Sequence, residues 1–431
     1  MNKRLILILA AIIIILLLIV VALWPSQNGQ LFISDAFAAN IQFPRVNESS
    51  IKYFTGSGFA EYDLSSHKTK SLTPNYALPN VYDVKWGTGG ALFKASGYSP
   101  VDQLEPQLNQ RGLAPDSQYW WLANFETGVI SLVGSPDIEH NITDVVWLEN
   151  SKQYMYLQFE NDDAQGLYRA DLGSAPALVG SIKPASAILW ANQSSLIIAK
   201  PNGETLDLDR LQLPALSSEK ITDDMPKRVM ASENGQHIIY SQSDAKNGGE
   251  DGASKDLYHF DLNKAKKKLV SKGIIAQPIW STSQPTFYVP LQEAENLAIV
   301  GFDAIKDKKH KFAIKDSSAT PSFVFKIGAP KKNRFLLIDN NNLAYLASGD
   351  KKEFDSLPKA NINFLANEKT VYRQGFYIAY FPNLNQYNIY ITQEPYKANA
   401  QKALDFIKSQ GVDPNQLFIK WYSDDRVNPT T

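Results

Sequence analysis

Cysteine is absent from this chain of 431 residues. Its absence excludes disulfides, thiolate catalysis and cysteine-ligated zinc. It also excludes a lipid anchor of the bacterial lipoprotein kind, which needs a cysteine to acylate. Neither sign of charge is in excess, because the formal net charge is -1. The chain as a whole is therefore not a nucleic-acid binder by electrostatics.

Motifs that carry chemistry are scarce as well. Neither Gly-x-Ser-x-Gly nor His-Glu-x-x-His occurs. The glycine-rich stretch Gly87–Gly90 lies between two apolar strands with no helix after it, which indicates a hairpin turn rather than a phosphate loop. Histidines are few, and the pattern assigns them to different units, with none paired at metal-ligand spacing. We expect each to be a strand or turn residue rather than a ligand: His67, His140, His237, His259 and His310. We predict no catalytic residue, no cofactor and no metal.

One long apolar run stands at the N-terminus. Leu5 to Trp24 has no polar side chain and, at about 1.5 Å per residue, reaches about 30 Å, the thickness of a bilayer core. Lys3 and Arg4 precede it, and no charge follows until Asp35. This asymmetry predicts a single-pass anchor with the N-terminus inside and the bulk of the chain outside the cytoplasm.

The competing interpretation of this run is a cleaved signal peptide. The apolar core of such a peptide is about 7–15 residues long, shorter than this run. The nearest small-x-small cleavage pattern, Ala36-Phe37-Ala38, lies far beyond the apolar residues. Both observations favour an uncleaved anchor.

From residue 40 onward a short repeat replaces helical periodicity. A strand ends in an aromatic or large apolar residue, a short turn follows, and a second apolar strand begins, as in Val145-Val146-Trp147 and Tyr154–Leu157. The residues that end the first strand recur at 39- to 61-residue spacing: Phe43, Trp86, Trp147, Trp190, Met230, Trp280, Phe325 and Phe364. Short strands at such a period predict an all-β propeller with seven or eight blades. An irregular β-sandwich is the alternative.

One unit also has a recognisable motif. Met230–Tyr240 reads MASENGQHIIY, and Trp280-Ser281 begins a weaker copy. This segment resembles the repeat of TolB-type, WD-like β-propellers, in which an apolar residue, Ser-Pro-Asp-Gly, two variable residues and an apolar strand recur. The Pro-Asp of the motif is missing here. The resemblance implies a fold and, loosely, a protein-binding platform, because the motif encodes a turn and no chemistry.

The last residues follow a different pattern. Tyr396 to Gln410 predicts a helix capped by Gly411, and Leu417–Tyr422 predicts a strand. We expect this tail to pack on the last blade or to extend a sheet edge. The predicted division of the chain is a cytoplasmic stub (1–4), a transmembrane helix (5–24), a linker with a possible ring-closing strand (25–39), the propeller (40–392) and a helix-strand tail (393–431).

Charged residues cluster in turns that a propeller places on opposite faces. A candidate basic interaction face comprises Lys264, Lys266, Lys267, Lys268, Lys306, Lys308, Lys309, Lys311, Lys331, Lys332, Arg334, Lys351 and Lys352. A candidate acidic face comprises Glu160, Asp162, Asp163, Asp223, Asp224, Glu250, Asp251, Glu293 and Glu295. The basic face suits anionic lipid, an anionic polymer or an acidic partner. Lysines that merely keep turns soluble are the simpler interpretation.

Two long insertions separate second from third strands. They are Ala95–Gln118 and Gln242–Lys255, and we expect both to rise over the acidic face.

The resulting hypothesis is a membrane-anchored extracytoplasmic propeller that serves as a protein-interaction platform in the cell envelope. Its partners would be the membrane, an envelope protein or an anionic polymer, and no nucleic acid. The alternatives are a propeller-type glycan hydrolase or lyase that uses loop carboxylates, and a surface sensor for a small ligand. Three carboxylates at the channel mouth would favour the enzyme, and an exposed apolar patch or tail strand would favour the platform.

Overall fold

A computed structural model describes most of the chain beyond the apolar run. The described residues are 29–56, 58–74, 81–96, 104–114, 117–134, 141–243, 255–274, 276, 278–282, 284–293, 296–315, 321–328, 333–360, 365, 370–382 and 386–423. The predicted membrane span, residues 5–24, lies outside them. Within these ranges no helix combines the length and apolarity needed to cross a bilayer.

Four separate antiparallel sheets follow a short first strand, β1 (Gln30–Ile33), and each takes its four strands in chain order. The sheets are β2–β5 (Gln42–Val46, Ser50–Phe54, Phe59–Asp63, Lys68–Ser71), β6–β9 (Val81–Trp86, Gly90–Ser96, Gln118–Asn124, Ile130–Leu132), β10–β13 (Ile142–Trp147, Gln153–Asn161, Ala164–Asp171, Ala177–Ile182) and β14–β17 (Ala187–Ala191, Ser195–Asn202, Thr205–Gln212, Ser217–Pro226).

The next strands repeat the same order within one 12-stranded hydrogen-bonded sheet. Its groups are β18–β21 (Val229–Ala231, His237–Ser243, Lys255–Asp261, Lys266–Ile274), β22–β25 (Ile279–Trp280, Thr286–Glu293, Asn296–Asp303, Lys308–Lys315) and β26–β28 (Pro321–Lys326, Arg334–Asp339, Ala344–Ser348). Single residue pairs join the groups, Ile274 with Leu291 and Tyr288 with Val324. The N-terminal strand β1 pairs antiparallel with β28 and parallel with β25.

Side chains on the strand faces pack each sheet against the next one. Leu157 and Leu167 of one sheet share a core with Ile188 and Ile198 of the following sheet. The last group packs against the first sheet in the same way, since both contribute to one core cluster. Burial of apolar residues between successive sheets therefore arranges them around a ring, as in a β-propeller.

Local turn chemistry fits this arrangement. The side chain of Asn47 accepts hydrogen bonds from the backbone N–H groups of Ser49 and Ser50, at 2.8 and 2.6 Å, in the turn between β2 and β3. Asn192 makes the equivalent contacts between β14 and β15, at 2.8 Å each. Such side-chain to backbone bonds favour a tight turn over a continued strand.

The C-terminal strands form a sheet of their own with the tail. The strands β29 (Thr370–Arg373), β30 (Phe376–Phe381) and β31 (Gln386–Ile391) are antiparallel, and β32 (Phe418–Ser423) adds in parallel to β31. The C-terminal helix, Tyr396–Ser409, covers one face of this sheet. We call this sheet and helix the C-terminal unit.

Strand pairing in the C-terminal unit joins residues from both sides of the predicted boundary at residue 392. The sequence pattern assigned Val371 and Tyr372 to the last propeller unit, and β29 shares its sheet with the tail strand. The physical reason is the core: Ala403, Leu404 and Ile407 of the helix bury the apolar face of these strands. The tail strand thus extends a sheet edge, one of the two expected placements.

The first insertion folds onto its own sheet. Its short helix, Glu105–Asn109, buries Leu104 and Leu108. Gln107 donates to the carbonyl of Ile130 and accepts from the N–H of Leu132, both at 3.0 Å, so the helix docks on β9. The described part of this insertion therefore covers an outer strand instead of rising over the acidic face. Most of the second insertion, residues 244–254, lies outside the described residues.

Candidate functional site

A cavity of about 410 Å³ opens where the turns between first and second strands meet around the ring. Six successive strand groups contribute residues to it, from the group of β2 to the group of β22. We call it the channel-mouth cavity, and the residues that matter for its chemistry are Arg45, Lys85, Trp86, Trp147, Glu149, Trp190 and Glu233.

Indole rings in the cavity wall are held in place by bonds between sheets. The indole N–H of Trp147 donates to the carbonyl of Lys85 at 2.8 Å, and that of Trp190 donates to the carbonyl of Glu233 at 2.7 Å. A glycine lies under each of these rings: a Cβ on Gly87 would sit 2.2 Å from Trp147, and one on Gly235 would sit 2.3 Å from Trp190. The rings are therefore fixed by the fold before any ligand arrives.

An ion pair crosses the cavity. The guanidinium of Arg45 lies 3.0 Å from the carboxylate of Glu233, although 188 positions separate the two residues in sequence. The same guanidinium donates to the carbonyl of Trp86 at 2.6 Å. The guanidinium of Arg45 therefore already has two hydrogen-bond partners, one carboxylate and one carbonyl.

Lys85, a second cation among the residues that line the cavity, also has its partners in place. The ammonium of Lys85 pairs with the carboxylate of Asp144 at 2.5 Å and donates to the carbonyl of Val145 at 2.7 Å. Asp144 is buried, and its second oxygen accepts the N–H of Ile188 at 2.7 Å. This network ties three consecutive sheets together.

Two carboxylates face the cavity with altered proton affinity. Burial raises the pKa of Glu149. Burial also raises the pKa of Glu233, with Arg45 acting in the opposite direction and Glu149 adding to the increase. Among the described residues, the side chain of Glu149 has no hydrogen bond or ion pair, whereas Glu233 is paired with Arg45.

A second candidate surface lies on the C-terminal unit. Tyr372, Tyr377, Tyr390 and Tyr422 occupy the same register position on β29, β30, β31 and β32. Their ring centroids are 5.3, 4.3 and 4.8 Å apart in that order. The row stands on the sheet face opposite the helix, and we call it the tyrosine row. Tyr372, at its end, is 71% exposed.

The predicted basic residues lie at the same end of the ring as the channel-mouth cavity, but local carboxylates pair with several of them. Lys264 pairs with Asp261 at 3.0 Å and Lys306 with Asp303 at 2.9 Å. Other pairs are Lys268 with Asp307 and Arg334 with Glu353. Lys266, Lys308, Lys309, Lys351 and Lys352 are exposed, Lys267 lies over the ring of Tyr258, and Lys311 is half-buried. Lys331 and Lys332 lie outside the described residues.

The predicted acidic residues that the structure describes lie at the other end of the strands. Glu160, Asp162 and Asp163 surround the turn between β11 and β12, and Asp223 and Asp224 lie on β17 where it pairs with the start of β16. Glu160 accepts from Ser181, Asp223 pairs with Lys220, and Asp224 accepts from Thr205. Glu293 ends β23; Glu250, Asp251 and Glu295 lie outside the described residues.

Two histidines that the sequence pattern assigned to different units lie in one sheet and are in contact. His237 Nδ1 and His259 Nε2 are 3.1 Å apart, and both rings are buried. The assignment to different units was wrong for this pair, because the two residues lie on neighbouring strands of one sheet, where side chains far apart in sequence become neighbours. Among the described residues, no group of three or more His, Asp or Glu is arranged to hold a metal.

The charged residues of the cavity were not singled out from the sequence, yet they carry a positional signal. Lys85 directly precedes Trp86, Glu149 follows Trp147 by two positions, and Glu233 follows Met230 by three. Each lies next to the residue that ends a first strand, at the turn that a propeller directs towards its axis. The sequence argument instead emphasised the lysine-rich turns and the long insertions.

No protein-family model matches the chain, and no curated protein matches it. Several solved structures are similar in fold. TolB from Acinetobacter baumannii is 11% identical over 73% of this chain and 79% of that chain, with a TM-score of 0.36. An oligogalacturonate lyase in complex with manganese is 10% identical over 73% of this chain and 90% of that chain, with a TM-score of 0.43.

The propeller domain of the trilobed protease from Pyrococcus furiosus is 12% identical over 61% of this chain and 80% of that chain, with a TM-score of 0.40. At such identities a likeness concerns the fold alone. The chain is an all-β protein that resembles TolB-type, WD-like β-propellers at the level of fold.

Proposed function

We propose that this protein is a membrane-tethered β-propeller that serves as a protein-interaction platform in the cell envelope. The apolar run of residues 5–24 supports the tether, and the charges before it support an extracytoplasmic location for the rest of the chain.

We infer a ring of seven blades, followed by the C-terminal unit as a separate unit. The support is the strand order: six groups of four strands precede the group β26–β28, which β1 completes as a fourth strand. The core that the last group shares with the first sheet supports closure of the ring.

The tyrosine row carries the platform proposal. An isolated exposed aromatic residue needs no explanation, but a row across four strands on a face without a helix is typical of a recognition surface. Tyrosine is enriched at protein interfaces because its ring buries a large area and its hydroxyl forms hydrogen bonds. Phe381, 42% exposed, adds apolar surface on the same face of β30.

The edge beside the row offers main-chain groups as well. Within the described residues, β32 pairs with β31 along one side and has no strand on the other. A partner segment that pairs with this edge would bind through its main chain and could continue the tyrosine row with an aromatic side chain.

The glycan hydrolase or lyase alternative has less support. Its requirement was three carboxylates at the channel mouth, and the described residues bring only Glu149 and Glu233 to the cavity. Asp144, which pairs with the cavity residue Lys85, does not line the cavity and also accepts the N–H of Ile188.

In-cell crosslinking of the full-length protein, tagged at the C-terminus, followed by mass spectrometry, tests the platform. We expect capture of one or a few envelope proteins. Tyr372→Ser should reduce this capture, because loss of an aromatic residue that anchors an interface costs about 2 kcal/mol, about 30-fold in affinity. Tyr82→Ser is the matched control, since Tyr82 is 50% exposed on β6 of the propeller.

Equal capture by wild type and by Tyr372→Ser would contradict the assignment of the tyrosine row. Capture of abundant bystanders alone would contradict the platform itself. Thermal unfolding of both variants checks that neither substitution disturbs the fold.

A further inference from the structure

The channel-mouth cavity has the size and wall of a ligand site. Its volume of about 410 Å³ falls within the range of about 300–1,000 Å³ that is typical of small-molecule sites. Trp86, Trp147 and Trp190 supply aromatic surface, and backbone hydrogen bonds from their indole N–H groups fix the rings. A wall fixed in advance lowers the ordering cost of binding.

The charges of the cavity discriminate between kinds of ligand. An anion would need a free cation, but Arg45 is held by Glu233 and the carbonyl of Trp86, and Lys85 is held by Asp144 and the carbonyl of Val145. Breaking either network to bind an anion would leave a carboxylate unpaired inside the ring.

A cationic ligand, in contrast, would find a carboxylate in the cavity that has no ion pair among the described residues. In the described part of the chain, the carboxylate of Glu149 has no ion pair, and it lies close enough to the carboxylate of Glu233 to raise the pKa of that group. The backbone N–H of Glu149 donates to the carbonyl of Ala191 at 2.9 Å, so the position of this residue is fixed. Burial raises the pKa of Glu149, which means that its charged form lacks the stabilisation a bound cation would provide.

Aromatic rings near a carboxylate favour one class of cation over others. A metal ion would need several oxygen or nitrogen ligands around it, and no such group is found among the described residues. An ammonium or guanidinium group needs one carboxylate, hydrogen-bond acceptors and the face or edge of an aromatic ring. The cavity combines these features, and Arg45 already shows that a guanidinium is accommodated there.

We propose that the channel-mouth cavity binds a ligand through an ammonium or guanidinium group, with Glu149 as the residue that pairs with it. The group would belong to a lysine or arginine side chain of a bound polypeptide or to a free small amine. This inference is independent of the tyrosine row, because it concerns another part of the molecule.

Isothermal titration calorimetry of the full-length protein in detergent tests the proposal with defined probes. The cationic probes are Nα-acetyl-L-lysine amide and Nα-acetyl-L-arginine amide, and the neutral probe is Nα-acetyl-L-norleucine amide. We expect at least one cationic probe to bind about tenfold more tightly than the neutral one, because only a cationic group can form a charge-assisted hydrogen bond with the carboxylate.

Glu149→Gln keeps the shape of the side chain and removes its charge, so it should weaken binding of the cationic probe by about tenfold. Glu126→Gln is the matched control: Glu126 is an exposed carboxylate paired with Lys152, outside the cavity, and its loss should leave binding unchanged. Thermal unfolding confirms that both variants fold.

Three results would overturn the proposal: no heat of binding from either cationic probe, equal binding of the neutral probe, or equal binding by wild type and Glu149→Gln. A comparison with n-butylamine separates the two sources of the cation. Tighter binding of the acetylated amides supports recognition of a polypeptide side chain, and tighter binding of n-butylamine supports recognition of a free amine.

Discussion

A buried pair of histidines should make the propeller sensitive to acid. His237 and His259 lie on β19 and β20, are 5% and 4% exposed, and share a hydrogen bond of 3.1 Å between ring nitrogens. One neutral imidazole can donate to the other, but protonation of both rings would place two N–H donors against each other. Trp280 and Phe302 pack around the pair and exclude water from it.

The direction and size of the effect follow from the pKa values. Burial, together with the neighbouring His237, lowers the pKa of His259 from its ordinary 6.5 to about 4, with Asp261, Asp307 and Lys268 as further charges nearby. Between pH 6.5 and about pH 4, the unfolded chain binds more protons than the folded one. The free energy of unfolding therefore falls as the pH falls through this range. At about pH 5 the loss attributable to His259 is about 2 kcal/mol.

Urea unfolding of the full-length protein at about pH 8 and about pH 5 measures this loss. From about pH 8 to about pH 5, the free energy of unfolding of wild type should fall by about 2 kcal/mol more than that of His259→Gln. The glutamine keeps a hydrogen-bonding side chain but cannot titrate. His67→Gln, in the surface turn between β4 and β5, should follow wild type. An identical pH dependence for wild type and His259→Gln would refute the reasoning.

Two substitutions test how the sheets are joined, with urea unfolding as the measurement. Asp144→Ala should lower the free energy of unfolding by about 3 kcal/mol, because it removes the buried carboxylate that pairs with Lys85 and accepts the N–H of Ile188. Glu126→Gln, in an exposed pair, should lower it by under about 1 kcal/mol. Equal losses would contradict the role of Asp144 in joining the sheets. Gly87→Ala should cost about 2 kcal/mol because the new Cβ would lie 2.2 Å from the ring of Trp147. Gly349→Ala is the control, since the nearest atom to its new Cβ would be the carbonyl oxygen of Gln30 at 3.8 Å. A Gly87→Ala variant as stable as wild type would show that the ring of Trp147 can move aside.

The repeat was visible in the sequence because each first strand ends in a large apolar residue at a similar interval. Trp86, Trp147 and Trp280 end β6, β10 and β22 as the pattern predicts. Such residues recur because each must fill the same space between neighbouring sheets. The turn positions next to them followed from the same pattern, although their charged residues were not recognised as a site.

The C-terminal unit shows where a local pattern is insufficient. The apolar residues of β29 to β31 are compatible both with propeller strands and with strands of another sheet. Alternation of apolar and polar residues indicates that one face of a strand is buried, but it does not identify the element that covers this face. Only the tertiary structure shows that the C-terminal helix supplies the cover and that β32 completes the sheet. The alignment of Tyr372 with Tyr422 depends on that pairing.

The sequence by itself determined the class of the protein: an apolar N-terminal run, a chain of short strands without cysteine, and charges separated into different turns. These features depend on composition and short-range periodicity, which the chain carries whatever its final shape. The tertiary structure alone decided which distant residues meet. Arg45 reaches Glu233, and Trp190 reaches the neighbouring sheet, because closure of a ring brings together residues whose sequence separation contains no information about their distance.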